Sequence, residues 1–200
     1  MKISLALCGL LLWGYTALGQ KFEYVYKNPA DSSYNSYLKI FPTTDTIKGL
    51  LVRDYSKLPN MAKRSPYRWI DLATEAGLMV LITDTAPHFP AFFAADSSMA
   101  RLDTILHEVV AHHQLPKDAI FMGGLSASGT RALRFAQYCA QGKSSLTLRG
   151  VFVVDAPLDL ARFYRSAAGH QHHFKGGMLQ EAQMMVPFLE DLLGGSPDDH

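Results

Sequence analysis

Ser126 stands between Gly124-Leu125 and Ala127-Ser128, with Phe121, Met122 and Gly123 before it and Gly129 after it. The apolar run Ala119–Met122 reads as a strand, and helical periodicity begins at Gly129, so the serine falls on a sharp corner between strand and helix. Such a corner is the arrangement used for covalent acyl transfer, in which the hydroxyl attacks a carbonyl carbon and holds the acyl group as an ester. A Gly/Ser-rich turn that binds phosphate is the bland alternative. It is disfavoured because no Gly-x-x-x-x-Gly-Lys string is present. A serine nucleophile needs a base, and the base needs an orienting acid. The histidines downstream are His170, His172, His173 and His200. The first three lie in a glycine-bounded stretch, Gly169 to Gly177, that reads as a mobile, solvated loop. No cysteine or carboxylate stands at ligand spacing from them, so no metal is expected there. His107-Glu108-Val109-Val110-Ala111-His112 resembles the zinc-protease pattern, but its second histidine comes one position late. Five residues turn the two imidazoles about 140° apart on a helix, which rejects a zinc protease.

These residues are carried by strands alternating with helices. Phe22–Tyr26 and Ser36–Phe41 read as an antiparallel pair, followed by a strand over Ile47–Arg53. Pro66 opens a helix through Glu75, stopped by Gly77, and Leu78–Thr83 is a buried strand. From Ser98 the apolar positions Met99, Leu102, Ile105, Leu106, Val109 and Val110 recur at three and four, which predicts an amphipathic helix ending before Pro116. Ala119–Met122 is a strand, Gly129–Gln141 a helix, Gly150–Val154 a strand and Met178–Leu193 a last helix. Asp159 is a candidate helix N-cap after the sixth strand. The pattern predicts an α/β fold with a mostly parallel sheet covered by helices on both faces.

The corner resembles the nucleophile motif of the α/β-hydrolases, usually Gly-x-Ser-x-Gly, here Gly124-Leu125-Ser126-Ala127-Ser128. The resemblance covers Phe22 to about Leu160 and departs at Ser128, where glycine is commoner. Small residues are required on both sides because the nucleophile's backbone is strained and strand and helix pass close together. Unpaired amides at the new helix start face the serine, so the Ala127 amide can donate to a developing oxyanion. The resemblance implies a second donor amide at about Tyr55, after the third strand. Adjacent Arg53 and Asp54 read alternatively as a surface ion pair. The family's chain order is serine, acid, histidine, with the acid usually after a seventh strand and the histidine after an eighth. Only six strands are legible here, and the 46 residues after Val154 read as helix and loop. Either the chain is C-terminally truncated, or its triad is completed unusually. Asp155 is then the candidate acid, since some hydrolases of this fold place it after the sixth strand.

Met1-Lys2, the apolar run Ile3–Trp13 and Ala17-Leu18-Gly19 make residues 1–19 a secretory signal peptide cleaved near Gly19-Gln20, with residues 20–200 a partial α/β-hydrolase domain. A secreted or periplasmic location follows; a lipid anchor at Cys8 is disfavoured because Leu7 is too large and Cys8 too near the start. Removing Lys2 takes 19 basic residues to 18, against 18 acidic ones. That balance gives no electrostatic case for nucleic acid or an anionic membrane, and no later segment suits a membrane span. Cys139 alone remains, so no internal disulfide is expected, and its helix position suits a small buried hydrophobe. No cofactor and no specific protein partner are expected. The resemblance implies a carboxylesterase-type serine hydrolase acting on a small-molecule ester or acyl substrate. The aromatic loop Phe89–Phe93 and the residues after Leu160 are the expected pocket or lid. A serine peptidase of the same fold, and a non-catalytic binding protein that keeps the fold without a full triad, are the alternatives.

Overall fold

Leu50, Leu51 and Val52 are consecutive, apolar and buried, yet they serve two different cores. An extended chain sends alternate side chains to opposite faces, so Leu50 and Val52 enter one layer and Leu51 the other. A strand buried on both faces needs packing on each side, and the computed structural model shows it. The structure describes residues 21–26, 36–54, 68–85, 95–170 and 172–196. Among them run β1 (Phe22–Val25), β2 (Tyr37–Ile40), β3 (Gly49–Arg53), α1 (Trp69–Glu75), β4 (Leu78–Thr83) and α2 (Asp96–His112). They are followed by β5 (Ile120–Leu125), α3 (Ala127–Ala140), β6 (Leu148–Val154), α4 (Leu160–His170) and α5 (Gly177–Leu193). The expected signal peptide, Tyr55, the loop Phe89–Phe93 and His200 lie outside the described residues.

The six strands form one sheet in the order β1-β2-β4-β3-β5-β6. The β1/β2 and β2/β4 pairs are antiparallel, and every pair from β4 to β6 is parallel. On one face Val52, Leu81 and Met122 pack against Leu102, Leu106 and Val109 of α2 and against Ala132 and Phe135 of α3. On the other, Leu38, Ile40, Val80 and Ile82 pack against Ile70 and Ala73 of α1. The mostly parallel sheet with helices on both faces is therefore present. The outer helices α4 and α5 form their own cluster around Tyr164, Met185, Phe188 and Leu189, and this cluster touches Ala127 at the start of α3.

The boundaries differ from expectation where the chemistry sits. β5 runs on through Gly123 and Gly124 to Leu125, and α3 begins at Ala127 rather than Gly129. Pairing with β6, Gly123 with Phe152 and Gly124 with Val153, holds the two glycines extended despite their poor strand propensity. The corner is consequently a single residue wide. Asp159 does cap α4, its carboxylate accepting from the Arg162 amide at 2.9 Å. The stretch from Gly169 is not wholly loop, because α4 continues through His170.

Candidate active site

Ser126 occupies the one-residue corner with φ 53° and ψ −129°, a backbone conformation that non-glycine residues rarely adopt. Holding it there costs on the order of 1–3 kcal/mol, which surrounding bonds must offset. The Ser126 amide donates to the Val154 carbonyl at 2.9 Å, and the amides of Gly129 and Thr130 donate to the Ser126 carbonyl at 2.9 and 3.2 Å. The Ser128 hydroxyl closes the turn by donating to the Leu125 carbonyl at 2.8 Å. A Cβ on Gly124 would lie 2.1 Å from Ser128 Oγ, and one on Gly129 would lie 2.9 Å from both Ala156 Cβ and the Gly124 carbonyl. The two sides of the motif therefore face each other: Ser128 fills the space that a side chain at position 124 would need. Its departure from glycine is compatible with the corner because Gly124 is bare.

Ser126 itself is exposed, and its hydroxyl has no hydrogen-bond partner among the described residues. Ala127 is the first residue of α3, so its amide has no partner within the helix and belongs to the positive end of the helix dipole. Leu125 pairs with Val154, which places Asp155 level with Ser126 at the carboxyl end of the adjacent strand. Asp155 is exposed and also has positive φ, 50°. The structure thus brings Ser126, Ala127 and Asp155 to one edge of the sheet.

No histidine joins them among the described residues. His107 and His112 lie on α2, whose C-terminal end leads into the start of β5, at the opposite edge of the sheet. His170 Nδ1 donates to the Ser166 carbonyl at 3.2 Å within its own helix, and the His172 and His173 rings lie tilted by 47° with centroids 4.0 Å apart. Among the described residues no group of three or more histidine, cysteine or acidic side chains is arranged to hold a metal.

Asp54 follows β3 directly and is completely buried, so it is no surface partner for Arg53. Its partner is Arg131, one turn into the nucleophile helix and equally buried. Arg131 Nε donates to Asp54 Oδ2 at 2.7 Å, Nη2 to Thr85 Oγ1 at 2.9 Å and Nη1 to Ser98 Oγ at 3.2 Å. Thr83 and Thr85 hydroxyls donate to the carboxylate at 2.7 and 2.8 Å, and the Thr85 amide adds a bond of 3.1 Å. Burial pushes the Asp54 carboxyl up, but the Arg131 guanidinium and the two threonine hydroxyls outweigh it and hold the pKa below the usual carboxylate value. The ends of β3 and β4, the first turn of α2 and the serine helix are thereby tied to one buried charge pair. Sequence reasoning missed this pair. Its only signal was that Arg131 shares the inward stripe of Ser128, Phe135 and Tyr138, at offsets of three, four and seven.

No protein-family model and no curated protein matches the sequence. Among solved structures, the chain is similar to Esterase B from Lactobacillus rhamnosis, with TM-score 0.55 and 14% identity over 88% of this chain and 57% of that one. It is also similar to fungal esterases from Rhizomucor miehei, with TM-score 0.53 and 14% identity over 86% and 53% of the two chains. A Legionella pneumophila hydrolase gives TM-score 0.56 and 14% identity over 78% and 46%. The fold is that of the α/β-hydrolases. The chain spans about half the length of these similar structures.

Within this α/β-hydrolase fold, no helix among the described residues covers the second face of β5 and β6 beyond α1. Leu125, Phe152 and Val154 stand 51%, 48% and 55% exposed there, large apolar side chains facing outwards together. With Leu51, Arg53 and Trp69 they border a groove of about 420 Å³ that runs up to the residue before Ser126.

Proposed function

We propose that this chain is the nucleophile-bearing part of a secreted serine hydrolase of carboxylesterase type. Ser126 attacks the ester carbonyl, the amides of Ala127 and of about Tyr55 hold the oxyanion, and an acyl-Ser126 intermediate is then released by water. Asp155 is the acid of this reading, orienting a histidine base that lies outside the described residues. The observation that carries the proposal is the strained backbone of Ser126 at a corner one residue wide. A solvated turn would have no reason to hold a serine at that cost. The small net charge supports an uncharged or amphipathic small ester over a polymeric anion. The test is hydrolysis of p-nitrophenyl acetate by wild type and Ser126→Ala. Turnover that falls at least a thousandfold in the variant supports the reading, and equal turnover refutes it.

A second reading is a binding protein that keeps the fold without turnover. The Ser126 hydroxyl has no base among the described residues, and this favours it. Ester binding without Ser126-dependent turnover distinguishes the two.

A further inference from the structure

Arg131 sits five residues after Ser126 and one helical turn after Ala127, on the inward side of α3. It is among the largest fully buried side chains, and its guanidinium is shared between three other elements. Nε and Nη2 hold Asp54 at the end of β3, Nη2 also reaches Thr85 beyond β4, and Nη1 reaches Ser98 in the first turn of α2. Stability alone does not call for charge at this place, because apolar residues of similar volume hold packed elements together about as well as a buried ion pair. What an apolar contact lacks is direction. A planar fork of fixed donors sets both the height and the rotation of the helix that carries it. Direction matters here because α3 starts at a strained corner. Ser126, at φ 53°, would relax if the first turn of α3 were free to tip.

We propose that the Asp54–Arg131 pair is a positioning device for the reaction at Ser126, clamping the start of α3 so that the strained corner holds and the Ala127 amide stays aimed at the oxyanion. The inference rests on Ser126 being the nucleophile. The pair touches no substrate and acts only through the helix. Its anchor is rigid, because Asp54 also accepts from the Thr83 hydroxyl at 2.7 Å and from the Thr85 hydroxyl and amide at 2.8 and 3.1 Å. The carboxylate is thus fixed by the end of β4 and does not follow α3 if the helix shifts. An oxyanion donor works only when it points to where charge develops, and a misplacement of about 1 Å costs about a hundredfold in rate. Ground-state binding does not use that donor, so the loss falls on kcat rather than on KM.

Hydrolysis of p-nitrophenyl acetate is measured for wild type, R131M, D54N/R131M and I70A, each at a temperature where it is folded. Ile70 packs between α1 and the sheet, so I70A is expected to lower stability without lowering kcat. D54N/R131M removes both charges and recovers part of the stability that R131M loses. Its kcat is nevertheless expected to stay about a hundredfold below wild type, with KM within about threefold. R131K keeps the charge without the fork and is expected between wild type and R131M. A kcat that returns with stability in D54N/R131M, or that falls no further in R131M than in I70A, overturns the inference. An NMR arm needs no turnover, because positive φ brings a residue's own amide and α protons close together. Ser126 should give a strong NOE between them in wild type and a weak one in D54N/R131M, while Gln114, at φ 52° beyond the far end of α2, is unchanged. A Ser126 NOE equally strong in both proteins overturns the inference. If wild type and S126A hydrolyse the ester equally, the nucleophile reading has failed, and the NMR arm alone decides the clamp.

Discussion

Replacing Arg131 with methionine removes one half of a charge pair that is sealed from water on both sides. The methionine keeps much of the volume, so the loss is electrostatic rather than a cavity. Asp54 retains the hydroxyls of Thr83 and Thr85 and the Thr85 amide but loses its cation, while Ser98 and Thr85 each lose a donor. Breaking a buried pair from one side costs about 3–5 kcal/mol, against about 0–1 kcal/mol for an exposed pair. For a domain of this size that corresponds to a fall in Tm of roughly 6–20 °C. The pH dependence carries a second signature. In the wild type the Asp54 pKa lies below its unfolded value, so its stabilisation is complete above the unfolded carboxylate pKa and is lost as pH falls through the folded one. Without Arg131, burial dominates and raises the folded pKa, so the penalty of Arg131→Met should be largest near neutral pH and shrink as acid protonates Asp54. Urea unfolding of both proteins between about pH 5 and 8 measures this, and adding Asp54→Asn should recover part of the loss. A penalty under about 1 kcal/mol that does not vary with pH would refute the buried-pair account.

Gly124→Ala should destabilise by about 1–3 kcal/mol, since its Cβ meets Ser128 Oγ at 2.1 Å, and Ser128→Gly in the same chain should restore part of the loss in a thermal melt. His113 is held below its ordinary pKa by burial first and by Lys39 and His112 next, with Glu23 opposing. A folded pKa below the unfolded one means stability is lost as pH falls from about 6.5 through the folded value, so His113→Gln should flatten that limb of a pH–stability curve. Tyr164→Phe removes the 2.6 Å bond to Glu190 that joins α4 to α5, and a loss of about 1–2 kcal/mol by chemical denaturation is expected.

Much of this architecture is legible in the chain because local rules and tertiary fold agree. Leu78–Thr83 is apolar throughout and becomes a strand buried on both faces; the three-and-four spacing from Met99 to Val110 becomes α2. The serine corner is legible for a physical reason, since close approach of strand and helix leaves room only for small residues. The Asp54–Arg131 pair is not legible, because the partners are 77 positions apart and meet only once β3 and β5 lie side by side. Neighbouring Arg53 offered a nearer and wrong partner, when alternation in fact sends the two side chains to opposite faces of β3. The end of α4 was obscured by Gly169 and its histidines, whose loop-like composition is overridden by packing of Tyr164 and Ala168 against α5. Asp155 could be placed at the serine from the register, whereas no spacing in the sequence supplies a base to stand between them.

The central claim is that Ser126 is a nucleophile, and covalent capture tests it without assuming a substrate. The protein is incubated with a fluorophosphonate, and the adduct is located by mass spectrometry of its peptides. The account predicts one adduct per chain, on Ser126, and none in Ser126→Ala. An adduct on another serine, or equal labelling of both proteins, would contradict it.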